Sequence, residues 1–197
     1  AADDIMAYNQ YKVLDVFQKC RITDMHFGWN TGYGYNDPGR EALEKVYAML
    51  FGTEAALVRP TIVNGTHALT LMLTGVLRPG DELIYCTGSP YDTLWEVIGL
   101  RGEGMGSLTD FGITYKQVEL NYDGSIDLET LAKVISPKTR AVAVQRATGY
   151  GWRKAITIDE IKKCAECVKS MDPSIVLLVD NCYGEFTETR EPTAVGA

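Results

Sequence analysis

From residue 55 onward, short apolar runs alternate with segments of helical periodicity, and this alternation most restricts what the chain can fold into. The runs AVAV at 141–144 and IVLLV at 175–179 are apolar along their whole length. A strand with one face in water alternates apolar and polar residues, whereas a strand buried on both faces is continuously apolar. Such strands, separated by helices, are typical of a mostly parallel sheet. The sequence therefore predicts an α/β domain.

The predicted elements of this domain are short and evenly spread along the chain. Strands are predicted at 56–59, 82–86, 114–120, 140–145 and 175–180. Helices are predicted at 65–77, 93–100, 128–135 and 158–169. Two amphipathic segments precede them and are predicted as helices over 4–20 and 38–51. We therefore expect an N-terminal helical arm over 1–54 and a mostly parallel α/β domain with flanking helices over 55–197.

The charge balance restricts the partners of the chain. Its 197 residues carry a formal net charge of -7, and no cluster of Lys and Arg departs from that balance. Such a surface has no long-range attraction to polyanions. No apolar run approaches the ~20 residues of a membrane helix, and residues 1–8 are acidic rather than basic and then apolar. The sequence therefore predicts a cytoplasmic protein without a nucleic-acid or membrane partner.

The cysteines support the same compartment. They are five in number and scattered: Cys20, Cys86, Cys164, Cys167 and Cys182. An odd, scattered set is expected where thiols stay reduced. The pair at 164 and 167 forms a CxxC inside the predicted helix 158–169, with no second Cys or His pair at zinc spacing. We therefore interpret it as structural and predict no metal site.

The candidate binding residues follow predicted strands, because ligands of such sheets bind outside the carboxyl ends of the strands. The first candidates are Gly65 and Thr66, in Asn64-Gly65-Thr66-His67, where a helix is predicted to begin. Amides at a helix N-terminus beside a glycine and a hydroxyl can bind a phosphate. The alternative is an ordinary helix start that Asn64 or Thr66 caps.

Two further candidates lie at other strand ends. Asp180 is the last residue of an apolar strand, and a buried carboxylate needs a partner, for which a cationic heterocycle would serve. The alternative is an aspartate that binds a main-chain amide of residues 181–184. Tyr91 follows the strand 82–86 and could stack on a planar ligand, or it could be a turn residue that packs on the core.

The arm contributes a third group of candidates. Tyr33, Tyr35 and Arg40 lie in an irregular, glycine-rich stretch and offer hydroxyl and guanidinium donors to a phosphate or carboxylate. The alternative is an arm that only folds over the rest of the chain.

A phosphate-binding helix start, a stacking aromatic and a strand-end aspartate occur here in the order seen in the large domain of fold-type-I pyridoxal phosphate enzymes. The chain closely resembles the methionine gamma-lyase-like, or aluminium-resistance, proteins, which are relatives of the lyases of cysteine and methionine metabolism. The resemblance extends from about Tyr8 to the end of the sequence. It is carried by GYGYNDPGREALE, ALVRP, GTHA, LRPGDELIY, SPYDTLWEVIG, GSLTDFGI, VQRATGY and VDNCYGEF.

The resemblance implies pyridoxal 5'-phosphate as cofactor and the elimination of sulfur from a sulfur-containing amino acid after α-proton abstraction. It implies that Gly65 and Thr66 bind the cofactor phosphate and that Tyr91 stacks on the pyridine ring. It implies that Asp180 pairs with the pyridinium nitrogen, which keeps the ring an electron sink.

The resemblance also implies shared sites between subunits. Tyr33 and Tyr35 are similar to aromatic residues that reach a neighbouring subunit's phosphate, which implies a homodimer or a homotetramer and makes 1–54 an inter-subunit segment. Gln145 and Arg146 follow their strand where such folds place groups near the cofactor's phenolic oxygen. His67 could face the ring, or it could be an ordinary residue of the helix start.

One expected residue is missing. Enzymes of this class need a Schiff-base lysine downstream of the strand-end aspartate, but no lysine follows Lys169. We therefore expect these residues to be an N-terminal portion that is inactive alone. The alternative is a non-catalytic domain that binds a phosphorylated ligand or a partner chain. A dinucleotide-binding fold is disfavoured, because the glycines at 102, 104 and 106 have the wrong spacing and follow no predicted strand.

Overall fold

The computed structural model of the protein describes residues 2–104 and 106–197. Contacts between residues divide the chain into two units. The first runs to Val63 and includes Phe186–Ala194, and the second consists of Asn64–Glu185 and Val195–Ala197. Within the described residues, none of the helices has both the length and the apolar character that crossing a membrane requires.

The first unit contains the two predicted helices of the arm. These are α1, Ala2–Lys19, and α2, Pro38–Phe51. Helix α2 begins where the sequence predicts, because Pro38 fits the first turn and the Asp37 carboxylate accepts a hydrogen bond from the amide of Arg40. It ends at Gly52, whose φ of 64° gives the left-handed conformation common after helices. The buried residues of this unit's small core are Val16, Val46 and Leu50.

The predicted strand 56–59 is wrong: the segment is irregular. Its polar groups are held by helix α2 instead of by a neighbouring strand. The Glu44 carboxylate accepts a hydrogen bond from the amide of Val58 at 3.1 Å and forms an ion pair with Arg59. Leu57 is 63% exposed, so this apolar run does not lie in a buried sheet. Residues 56–59 are Ala-Leu-Val-Arg, and a run of four residues is too short to distinguish a strand from an irregular segment that a helix holds in place.

The second unit is built around a parallel sheet, as the sequence predicts. Its strands are β1 Glu82–Tyr85, β2 Thr114–Gln117, β3 Thr139–Gln145 and β4 Val176–Asp180. Their order is β2-β1-β3-β4, with every pair parallel. Its helices are α3 Gly65–Val76, α4 Leu94–Ile98, α5 Leu128–Val134 and α6 Ile158–Met171.

The sheet is covered on both faces, which explains the continuously apolar strands. Along β3, Ala141 and Ala143 belong to a cluster that includes side chains of α3 and α4. Val142 and Val144 point the other way, into a cluster with side chains of α5 and α6. Cys164 of α6 lies in this second core, with its Sγ 3.8 Å from that of Cys86. The elements of the unit therefore position the carboxyl ends of four strands at one edge.

Candidate active site

A cavity of about 390 Å³ lies at the carboxyl edge of the sheet in the second unit. Five of the residues that the sequence predicts or considers line it together: Gly65, Thr66, Tyr91, Gln145 and Asp180. Parallel topology is the reason. Gln145 and Asp180 end neighbouring strands and lie opposite one another in register, and α3 begins at the same edge. The edge is therefore the candidate active site.

The start of α3 forms one wall. Asn64 is its cap, and the side-chain oxygen of Asn64 accepts a hydrogen bond from the amide of His67 at 2.8 Å. The Thr66 hydroxyl is therefore not needed as the cap, and it donates to the Thr93 hydroxyl at 2.7 Å. The first amides of a helix have no intrahelical partner, and nothing lies within 4 Å of a Cβ built on Gly65. This wall can accept an anionic oxygen at close range.

The carboxylate of Asp180 forms the floor. It is half-buried, and its Oδ1 accepts a hydrogen bond from the amide of Cys182 at 3.1 Å. The main-chain contact that the sequence leaves open as an alternative is thus present. Burial raises the pKa of Asp180, the Cys182 amide lowers it, and the nearby charge of Glu185 raises it. Within residues 2–104 and 106–197 no cationic side chain pairs with this carboxylate.

Tyr91 lines the cavity with its ring. Its neighbour is Tyr150, whose ring stacks on it with centroids 5.3 Å apart and planes at 27°. The two hydroxyl oxygens are 2.8 Å apart. The hydrogen bond to Tyr150 raises the pKa of Tyr91 to about 12. The phenol therefore stays protonated at neutral pH and presents a planar apolar face to the cavity.

Gln145, the last residue of β3, and Arg146, which follows it, have different surroundings. Gln145 lines the cavity, and its main-chain amide donates a hydrogen bond to the Thr87 hydroxyl at 3.0 Å. Arg146 does not line it: the side chain is buried, and its guanidinium donates to Ile156 O, Asn181 Oδ1 and Gly184 O. The cofactor contact of Arg146 therefore stays a prediction, and Gln145 is the better candidate because it is the one of the two residues that lines the cavity.

The remaining predicted residues lie outside this cavity. His67 is half-buried in the first turn of α3 and is not among the lining residues. Tyr33 and Tyr35 belong to the first unit, where they are 82% and 80% exposed on an irregular segment. Their inter-subunit role stays a prediction.

The lining residues that the sequence analysis did not single out include four that lie close after Asp180: Asn181, Cys182, Tyr183 and Glu185. They follow Asp180 directly in the chain, so their position after a strand end was the available signal. Tyr183 has a φ of 68°, a conformation that is strained for a side chain of this size and that clusters at functional sites. Among the described residues, no lysine lines the cavity.

This fold and edge define a class. The structure matches the pyridoxal-5'-phosphate-dependent protein YhfS of Escherichia coli with a TM-score of 0.71 over 98% of this chain and 49% of that one, at 21% identity. The predicted fold class, the large domain of fold-type-I pyridoxal phosphate enzymes, is thereby confirmed. The methionine gamma-lyase family matches residues 1–197, and the chain belongs to that family.

Closer relatives agree with this membership. A structure from Listeria innocua, named provisionally as a cystathionine beta-lyase involved in aluminium resistance, is 54% identical, with a TM-score of 0.97 over 100% of this chain and 48% of its own. A carbon-sulfur lyase involved in aluminium resistance from Clostridium novyi NT is 51% identical, with a TM-score of 0.96 over 100% and 47%. The uncharacterized protein YnbB of Bacillus subtilis is 50% identical over 99% of this chain and 47% of its own length. The chain therefore spans about half the length of these relatives.

Proposed function

We propose that the protein is a pyridoxal-phosphate-dependent carbon–sulfur lyase that acts on a sulfur-containing amino acid. The observation that carries this proposal is Asp180: a half-buried carboxylate without a cationic partner in the described chain, at the floor of a cavity that also presents a helix start and an aromatic ring. A protonated pyridine ring with a phosphate fits those three groups at once. The names of the Listeria and Clostridium relatives support the lyase assignment.

The residues of the cavity fit this cofactor chemically. The open space beside Gly65 and the Thr66 hydroxyl would hold the phosphate, since helix N-termini favour anions. Tyr91 would cover one face of the ring, and its own ring would stay oriented by Tyr150. Gln145, opposite Asp180 in register, would reach the phenolic oxygen attached to the ring.

Asp180 would hold a proton at the ring nitrogen. When bound, pyridoxal phosphate supplies a ring that withdraws electrons and stabilises negative charge at the substrate α-carbon. The ring withdraws electrons best while its nitrogen is protonated, and an ionised carboxylate beside the nitrogen favours that proton. The reaction would release a thiol, ammonia and a 2-oxo acid from the amino acid and water.

The covalent lysine is proposed to lie outside residues 1–197. The cavity has no lysine among its described lining residues, so we expect residues 1–197 alone to bind the cofactor without turnover. The same observation favours a second candidate function, a non-catalytic domain that binds a phosphorylated ligand. We further propose a cytoplasmic homodimer or homotetramer in which Tyr33 and Tyr35 reach the neighbouring subunit's cofactor phosphate.

Pyridoxamine 5'-phosphate tests the cofactor site, because it binds without a lysine. Calorimetry should find one site per chain, with weaker binding of pyridoxamine, which has the same ring but no phosphate. Equal binding of inorganic phosphate and pyridoxamine 5'-phosphate would favour the second candidate. No saturable binding of any of the three would contradict both.

A further inference from the structure

Arg146 is a buried side chain with several hydrogen bonds near the cavity, although it does not line it. Its side chain is 3% exposed. Nε donates to Ile156 O at 3.1 Å, and Nη1 donates to Asn181 Oδ1 at 2.8 Å and to Gly184 O at 2.7 Å. A buried guanidinium is costly unless its donors are satisfied. These bonds therefore fix both ends of the turn 181–184.

The turn itself has a conformation that needs such support. Tyr183, in its middle, is at φ 68°, where a tyrosine is strained. The amide of Gly184 closes the turn on Asn181 O at 2.7 Å. A Cβ on Gly184 would lie 2.6 Å from Arg146 Nη1 and 2.5 Å from Asn181 Oδ1. The close approach of Arg146 thus requires glycine at this position, and the bonds to Arg146 offset the strain beside it.

The turn is joined directly to the carboxylate of the proposed site. The amide of Cys182, inside the turn, donates to Asp180 Oδ1 at 3.1 Å. The amide of Arg146 donates to Asp180 O at 3.0 Å, so the same residue fixes the backbone of Asp180. Within the described chain, Asp180 Oδ2 accepts no hydrogen bond.

We propose that Arg146 is a positioning residue for Asp180: its guanidinium holds the turn 181–184 so that the Cys182 amide binds one carboxylate oxygen and leaves the other for the cofactor's ring nitrogen. This inference rests on the function proposed above and deepens it. Arg146 acts through the turn and does not touch the ring.

The groups around Asp180 determine how readily its carboxylate takes up a proton. Burial raises the pKa of Asp180 and so does the charge of Glu185, whereas the Cys182 amide opposes both. From β1, the phenol of Tyr85 faces the same carboxylate, and its pKa is raised by burial first and then by the Asp180 charge. Loss of the amide contact would let Asp180 take up a proton more readily. A neutral Asp180 no longer favours a proton on the ring nitrogen.

The nitrogen-15 chemical shift of the ring nitrogen in labelled pyridoxamine 5'-phosphate measures this effect, since it reports protonation directly. Bound to the unchanged protein, the ring nitrogen should stay protonated to a higher pH than in the free ligand. In Arg146→Gln the pH midpoint of ring-nitrogen protonation should fall by about one pH unit. This is the size expected when the Asp180 carboxylate loses one charge-assisted hydrogen bond, the one from the Cys182 amide. Arg146→Lys, which keeps one cationic donor, should recover part of the shift.

Arg140→Gln is the matched control. Arg140, near the start of β3, donates a hydrogen bond to Ser174 O, just before β4, at 3.2 Å. It therefore joins β3 and β4 at the ends opposite to Arg146 and Asp180. This variant should leave the ring-nitrogen midpoint unchanged. If Arg146→Gln does not fold, Asn181→Ala decides the question, because it removes one acceptor of Arg146 at a half-buried residue of the cavity lining and leaves the guanidinium in place. Asn181→Ala should lower the midpoint in the same direction.

The possible failures are distinct. If the unchanged protein binds pyridoxamine 5'-phosphate with a protonated ring nitrogen and the midpoint is the same in the Arg146 and Asn181 variants, the positioning role is contradicted while the cofactor site stands. An equal fall in Arg140→Gln would also contradict it, since the effect would then be general destabilisation. Absence of binding to the unchanged protein would overturn the proposed function and this inference together.

Discussion

Two carboxylates lie at opposite edges of one sheet and differ in every contact. Glu82, at the start of β1, is buried and accepts hydrogen bonds from Ser136 and Thr139 at 3.0 and 2.6 Å. Lys116 adds an ion pair at 2.8 Å. Burial alone would raise the pKa of Glu82, but these hydrogen bonds and the Lys116 charge hold it below its ordinary value. Asp180 has one amide for a partner and a raised pKa.

The difference separates a structural charge from a functional one. A buried carboxylate that stabilises the fold is surrounded by its own donors, as Glu82 is. A carboxylate whose remaining oxygen lacks a donor in the described chain is stabilised only when a ligand supplies one, as we propose for Asp180. The turn after Asp180 also holds the strained Tyr183, at a φ of 68°, whereas the positive φ of 95° two residues before Glu82 belongs to Gly80, which adopts it without strain.

Removing the satisfied carboxylate should have the largest effect on stability. Glu82→Ala leaves Ser136, Thr139 and Lys116 without their acceptor, so we expect the free energy of unfolding to fall by about 2 kcal/mol in urea denaturation. The control is Glu129→Ala, whose partner Lys133 is solvent-exposed; its cost should stay under about 0.5 kcal/mol. Equal losses in both variants would remove the contrast between the two edges.

Removing the charge of Asp180 should affect the binding of the cofactor more than the stability of the fold. In Asp180→Asn the ring nitrogen of pyridoxamine 5'-phosphate loses its anionic partner, and the affinity should fall about thirtyfold, or roughly 2 kcal/mol, by calorimetry. Asp172→Asn is the matched control: Asp172 precedes β4, where its carboxylate binds the Ser174 amide. Unchanged affinity in Asp180→Asn would contradict the proposed role.

The two carboxylates should also give opposite dependence of stability on pH. The folded pKa of Glu82 is lowered, so its contribution is present above the unfolded value and is lost as pH falls through the folded value. The folded pKa of Asp180 is raised, so stability is greatest below the unfolded value and declines as pH rises through the folded value. Asp180→Asn should therefore be slightly more stable than the unchanged protein at pH 7, by less than about 1 kcal/mol, and show no gain at pH 3. Thermal unfolding at both pH values measures this, and a loss of stability at pH 7 would contradict it.

The smaller of the two expected effects on cofactor binding is at the start of α3. Thr66→Ala should lower the affinity for pyridoxamine 5'-phosphate about fivefold, or roughly 1 kcal/mol, because one hydroxyl contact to the phosphate is lost. The binding of pyridoxamine, which has no phosphate, should not change. A similar loss for both ligands would mean that the variant disturbs the whole cavity, including the Thr93 contact, instead of a phosphate site.

Much of the fold could be predicted because it follows from burial on both faces. The run Ala141–Val142–Ala143–Val144 alternates between two cores, and this requires the continuous apolar pattern that predicts the strand. Asp180 could be found because a charge ends such a run. The segment 56–59 could not be placed, since the partner of its polar groups, Glu44, is distant in sequence.

The contacts that hold the site residues in place could not be predicted for a similar reason. Whether Gln145 or Arg146 faces the cavity depends on the acceptors Asn181 and Gly184, which lie more than 30 positions further along the chain. Tyr150 stacks on Tyr91 across 59 positions of sequence. Spacing in a single sequence identifies where the strand ends, but it does not identify which of the side chains there faces the cavity and which is buried beneath it.

Borohydride trapping tests the central claim most directly. The protein, in a form that spans the full length of its relatives, is mixed with pyridoxal phosphate, reduced, and compared with residues 1–197 by intact mass and peptide mapping. We expect one stoichiometric adduct on a single lysine outside residues 1–197, and no adduct at a specific lysine of the shorter chain. No specific adduct in the full-length form would contradict the assignment as a pyridoxal-phosphate lyase.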